Sequence, residues 1–210
     1  MIRNIAFDFG GVIVDLDREE AVQAFIRLGL ENAYRILDKY HQTGIFQELE
    51  EGKLSEESFR EKLGILCGKP LEREEVRQAW MGFVSGMDIR KLDYIAQLRQ
   101  RGYHTFLLSN TNPYLMDYWA RTPQFTPQGN SIDAYFDKLY LSFEMGCMKP
   151  EPEIFRQMIK DAQIRPEETL FIDDSTSNIA AGKNAGLQTF QPENASDWRT
   201  QVETLLEKAK

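Results

Sequence analysis

IAFDFGGVIVD, Ile5 to Asp15, is the stretch that decides the fold. It is an apolar run that delivers one carboxylate, Asp8, and then breaks on Gly10 and Gly11. A strand packed in a core has no room for an unpaired carboxylate, so a charge at its exit points to something there that uses it. Ile5 and Phe7 face one way and Ala6 and Asp8 the other, and near-continuous apolarity suits a parallel strand covered on both faces. After the glycines, Val12 to Leu16 continues apolar up to Asp17, a helix cap for the segment REEAVQAFIRLG.

From Arg18 to Gly86 the pattern is almost wholly helical. AVQAFIRLG, ENAYRILDKY, IFQELEEG, SEESFREKLGIL and EREEVRQAWMGF each repeat apolar residues at three and four spacing, and Ser55 starts one of them. Beyond Asp88 the pattern alternates. IRKLDYIAQLRQRG, NPYLMDYWA, PEIFRQMIKDA and SNIAAGKNAG read as helices, while HTFLLSN, KLYLSF, TLFIDD and LQTFQ read as strands. Arg121 to Ser131 carries two prolines and no period, so it is a loop, and the last residues form a closing surface helix. The expected fold is α/β, a Rossmann-like doubly wound parallel sheet, with a core at 1–16 and 87–210 and a helical insert at 17–86.

Composition narrows the function classes. Across 210 residues the formal net charge is −8, which offers no electrostatic footprint for nucleic acid or for an anionic membrane. No apolar run approaches the roughly 18 to 20 residues a membrane helix needs. Cys67 and Cys147 form no CxxC pair and no basic-then-apolar leader precedes Ile5, so a cytoplasmic protein with free thiols is expected. A monomer or a weak homodimer fits these features.

Four apolar runs have polar residues at or beyond their ends: Asp8 after Ile5 to Phe7, Ser109 and Asn110 after Phe106 to Leu108, Lys149 beyond Leu139 to Ser142, and Asp173 with Asp174 after Leu170 to Ile172. In an open parallel sheet the carboxyl ends of the strands line one crevice. Carboxylates brought together there repel, and Mg²⁺ relieves them using one or two carboxylates plus water and a substrate phosphate. With Lys149 neutralising a phosphate, and Ser109 and nearby amides donating to its oxygens, Asp8 can attack phosphorus in line. The ligand so implied is a small phosphate ester.

FDFGGV, LLSNTN, GCMKPEPEIF and FIDDSTSNI, in this order, resemble the four motifs of the haloacid dehalogenase (HAD) superfamily. Within it they are similar to the bacterial glucose-1-phosphate phosphatase type and to the phosphatase domain of soluble epoxide hydrolase. The resemblance implies Asp8 as nucleophile, Ser109 as phosphate-binding hydroxyl and Lys149 as the lysine that holds both. It also implies a Mg²⁺ site of Asp8, the Gly10 carbonyl, and Asp174 with Asp173 beside it. The helical insert matches the position of a small cap over the phosphate site. Substrate choice is expected there, with sugar phosphates first in line.

Gly10 departs from this pattern, because most phosphatases of the superfamily carry a second Asp there as general acid and base. Losing such a group costs on the order of 10²- to 10⁴-fold unless another takes over. Asp15, Asp17, Glu48, Glu50 and Glu51 are the candidates. The rival readings are a non-catalytic binding protein, made plausible by Gly10, and a metal-independent dehalogenase with the same nucleophile. Phe46, Trp80 and Tyr40 read as core of the insert, Cys147 as a small buried residue, His104 as packed at a strand start, and His41 as a helix-end residue.

Overall fold

The computed structural model describes residues 1–38 and 42–209; Tyr40 and His41 lie outside them. Strand β1 (Asn4–Phe7) is the centre of a five-stranded parallel sheet. It lies between β4 (His104–Ser109) and β6 (Thr169–Ile172), with β5 (Lys138–Leu141) outside β4 and β7 (Gln188–Phe190) outside β6. The chain builds outward from β1 through β4 to β5, then returns to the other side, which puts the switch in strand order beside β1.

Alternation along β1 explains why it is central. Ile5 and Phe7 face a layer built from α6 (Ile89–Gln100) and α11 (Arg199–Lys208), through Leu92, Ile95, Val202 and Leu206. Ala6 faces α9 (Pro152–Asp161) and α10 (Thr176–Asn184), through Phe155, Met158 and Ile179. Both faces are dry, so the strand reads as a continuous apolar run. The closing helix is anchored by Trp198, whose indole lies 5.4 Å from the Phe7 ring and donates Nε1–H to the Val12 carbonyl at 2.9 Å. That bond ties the C-terminus to the loop after Asp8.

The Gly10–Gly11 break is sharper than a pause in one strand. Gly11 through Ile13 turn, and Val14–Leu16 forms β2, which runs antiparallel to β3 (Val84–Met87) in a separate two-stranded ribbon. The end of the stretch read as helical is therefore a strand. Four residues containing a glycine carry no period of their own, and the partner that makes them a strand lies some seventy positions earlier. Asn194 locks the ribbon from outside, donating to the Leu16 carbonyl and accepting from its N–H.

Between β2 and β3 stand α1 (Arg18–Leu28), α2 (Ala33–Ile36), α3 (Ile45–Glu50), α4 (Glu56–Cys67) and α5 (Arg73–Met81). Asp17 caps α1 by accepting from Glu20 N–H, and Ser55 caps α4 by accepting from Ser58 N–H. Their shared core has Trp80 as its hub, with the rings of Phe25, Phe46 and Phe59 packed round it. Tyr114 joins this core from α7 (Pro113–Leu115), which widens into a π turn over Met116–Ala120 where a single helix was expected. A short α8 (Ser142–Met145) follows β5. His104 begins β4 with its side chain exposed, not packed: it lies at the sheet's amino edge beside Asp137. Cys67 and Cys147 are both free.

Candidate active site

Register brings the polar strand ends together. Phe7 pairs with Leu107 on one side and Ile172 on the other, so Asp8 leaves the sheet level with Leu108 and Asp173. The Asp8 N–H donates to the Ile172 carbonyl at 2.8 Å, continuing the ladder one residue past the strand. Its Oδ1 accepts from the Phe9 N–H at 2.7 Å and from Lys149 Nζ at 2.9 Å. Backbone geometry and one cation therefore aim the carboxylate.

Lys149 is fully buried, with Nζ also 2.7 Å from Asp173 Oδ2 and 5.6 Å from the centre of the Phe171 ring. Asn110 holds its main chain at both ends, donating Nδ2 to the Lys149 carbonyl at 2.7 Å and accepting the Lys149 N–H at 2.8 Å. Asp173 is saturated in its turn, since Ser175 N–H and Asn178 Nδ2 donate to it alongside Lys149. Asp174 lies against the glycine turn: a Cβ on Gly11, whose φ is +74°, would stand 2.2 Å from Asp174 Oδ2. Gly11 is a glycine both for its left-handed backbone and for this close approach. Ser109 is buried at the end of β4, its hydroxyl making one long bond to the Asn110 carbonyl.

Asp8, Asp173 and Asp174 each place a carboxylate oxygen within 4.8 Å of the others. Burial pushes the Asp8 carboxyl well above its usual range; Lys149 pulls it down, and the charges of Asp173 and Asp174 raise it further. Burial works against the charge on Lys149, but Asp173 and Asp8 outweigh it and hold the ammonium above its ordinary value. Three acids against one cation leave a buried excess of negative charge made of hard oxygen donors. Such a donor set fits a divalent cation of the Mg²⁺ type.

Gly10 does not need to be a glycine for its backbone, and a Cβ there would meet only the tip of Leu16, at 3.0 Å. The acids proposed to replace its missing carboxylate are not equivalent. Asp15 pairs with the buried Lys91 at 3.3 Å, Asp17 is the exposed cap of α1, and Glu48 pairs with Lys62 on the surface. For Glu51, burial is opposed and outweighed by Lys53 and Gln47, which hold its carboxyl below the usual range. Glu50 is buried, and that burial pushes its carboxyl up to about 8; the Asn112 side chain works the other way and the Glu51 charge adds to the rise.

Glu50 also lines a cavity of about 70 Å³ that begins at Phe9, Gly10 and Asn110 and runs between the sheet edge and the helical insert. Trp80, Thr111, Leu16, Phe83 and Gln42 are among its other walls. In the sequence Thr111 is one letter of the motif LLSNTN with no role of its own, and Trp80 reads as core of the insert in preference to a sugar platform. A larger, shallow depression between α4 and α5 lies on the outside of the insert, away from the carboxylates.

Residues 2–186 match the family model described as haloacid dehalogenase-like hydrolase. The chain belongs to this family. It is a HAD-like hydrolase, as the four motifs implied. It is 60% identical to a D-ribitol-5-phosphate phosphatase of Bacteroides thetaiotaomicron, over 98% of this chain and 99% of that protein. A HAD-like family hydrolase from Porphyromonas gingivalis superposes with a TM-score of 0.93 at 44% identity, covering 98% of each chain. A HAD family enzyme from Bacteroides thetaiotaomicron, solved with magnesium and inorganic phosphate, superposes with a TM-score of 0.85 at 35% identity, over 96% of this chain and 99% of that one. Among the described residues of this HAD-like hydrolase, no helix is long and apolar enough to cross a membrane.

Proposed function

We propose that this hydrolase is a Mg²⁺-dependent phosphomonoesterase acting on a small phosphorylated sugar or polyol, with Asp8 as nucleophile. The observation that carries this reading is the buried ammonium of Lys149, bonded to both Asp8 and Asp173 at the exit of the central strand. The 60% identical D-ribitol-5-phosphate phosphatase moves a five-carbon polyol phosphate ahead of glucose 1-phosphate as first substrate.

Asp8, Asp174 and the Gly10 carbonyl would hold the metal, since Asp173 is already committed to Lys149, Ser175 and Asn178. When bound, Mg²⁺ supplies positive charge that offsets the carboxylates and the phosphate dianion. Lys149 Nζ and the Ser109 hydroxyl bind phosphate oxygens, with Asn110 keeping Lys149 in place. An Asp8 carboxylate oxygen forms a bond to phosphorus as the bond to the leaving oxygen breaks, and that oxygen takes a proton. Water then attacks phosphorus, releasing inorganic phosphate and restoring Asp8. The helical insert acts as the cap that excludes bulk water from these steps.

Mg²⁺-dependent release of phosphate from D-ribitol 5-phosphate, glucose 1-phosphate and an aryl phosphate, each with and without chelator, tests the reading. Asp8→Asn abolishes release on all three. Normal turnover by that variant refutes the assignment, and chloride release from a 2-haloacid in chelator would favour a dehalogenase instead.

A further inference from the structure

The cavity beside Gly10 contains polar groups that no described residue satisfies. The Thr111 hydroxyl and the Trp80 indole N–H are both buried and without a hydrogen-bond partner, and both residues line it. Buried donors and acceptors are almost always paired, by protein, by water or by a ligand. Glu50 adds a buried carboxyl to the same wall. Phe9 and Gly10 of the loop that follows Asp8 and Asn110 beside Ser109 form part of its wall, so it adjoins the place where a phosphate bound at Asp8 would carry its leaving group.

The charge of the lining is equally informative. Among the described residues that form its walls there is no Lys, Arg or His, and the one ionisable group is Glu50. A leaving group with its own carboxylate or second phosphate would meet no cation among those described residues. A leaving group with neutral hydroxyls would find a hydroxyl that both donates and accepts, an indole donor and a carboxyl. Burial favours the neutral form of that carboxyl, which can then donate as well as accept.

We infer that Glu50, Thr111 and Trp80 form the specificity pocket for a neutral, hydroxyl-bearing leaving group, and that it rejects phosphate esters whose leaving group is anionic. This rests on the phosphomonoesterase reading and adds to it the chemical class of the alcohol released. The pocket selects between a polyol phosphate and an acid such as phosphoglycolate, a distinction the phosphate site cannot make, because both present the same dianion to Lys149 and Ser109.

The test is the ratio of kcat/KM among three Mg²⁺-loaded assays, with D-ribitol 5-phosphate, 4-nitrophenyl phosphate and phosphoglycolate. In the wild type the polyol ester exceeds phosphoglycolate by about 100-fold or more, and Thr111→Val lowers the ratio of polyol to aryl ester by about 10-fold. Wild-type preference for phosphoglycolate overturns the inference, and so does a fall in proportion on both polyol and aryl esters in Thr111→Val. Titration calorimetry on Asp8→Asn protein separates this inference from the catalytic reading. There the pocket predicts that adding Thr111→Val weakens D-ribitol 5-phosphate about 10-fold relative to inorganic phosphate, whether or not any ester turns over. An unchanged ratio overturns the pocket.

Discussion

Replacing Glu50 by Gln removes an ionisation while keeping the side chain's size, and the structure sets how the stability of the two proteins should diverge with pH. The folded protein holds this carboxyl at about 8 against 4.5 for an ordinary glutamate, chiefly through burial. Below 4.5 the group is protonated in both folded and unfolded chains and contributes no pH dependence. Between 4.5 and about 8 the folded chain binds the proton and the unfolded chain releases it, so stability falls as pH rises; above about 8 the loss is complete. At 1.36 kcal/mol per pH unit the whole window is worth about 5 kcal/mol, a ceiling because water entering the adjacent cavity relaxes part of the penalty. Glu50→Gln has no such term. Urea melts of both proteins in chelator from pH 5 to 9 should show the variant gaining on the wild type steadily and levelling off near pH 8 to 9, by about 3 to 5 kcal/mol. Asp8 contributes equally to both curves, so the difference isolates Glu50. Parallel curves across that range would refute the claim that burial holds the Glu50 carboxyl up.

Two further perturbations probe the carboxylate cluster. Gly11→Ala forces a Cβ to within 2.2 Å of Asp174 Oδ2 at a φ of +74°; calorimetry with Mg²⁺ alone should show affinity down at least about 10-fold. Gly10→Ala, which meets only Leu16, should cost under about 1 kcal/mol of stability, and equal effects of the two would contradict the geometry. Lys149→Met strands Asp8 and Asp173 without their counter-charge and should cost about 3 to 5 kcal/mol in chelator at neutral pH, with part regained on adding Mg²⁺. A variant as stable as the wild type in chelator at neutral pH would show that the ammonium does not balance the cluster.

Much of the site was legible because its residues punctuate apolar runs. Asp8, Ser109, Asp173 and Asp174 each follow a stretch that can only be interior, with Lys149 a few residues beyond another, and a parallel sheet sends such exits to one edge. Asn110 was legible as a site residue, but its side chain clamps the Lys149 main chain, a contact across thirty-nine positions that no local pattern encodes. The strand Val84–Met87 was invisible for the same reason, since its partner Val14–Leu16 lies on the far side of five helices.

By itself the sequence determined the alternating strands and helices of the parallel sheet, the exit of Asp8 from its first strand and the kind of site a cluster of strand-end acids makes. Periods of two and 3.6 residues are local, and the hydrophobic effect acts on them wherever they occur. Only the tertiary structure chose among Glu48, Glu50 and Glu51. These acids sit on or directly after one helical turn with near-identical chemistry, yet one pairs with Lys62 on the surface, one pairs with Lys53, and Glu50 is turned into a cavity beside Gly10. Desolvation depends on what docks against a side chain, and that was settled by how the helical insert sits on the sheet's carboxyl edge.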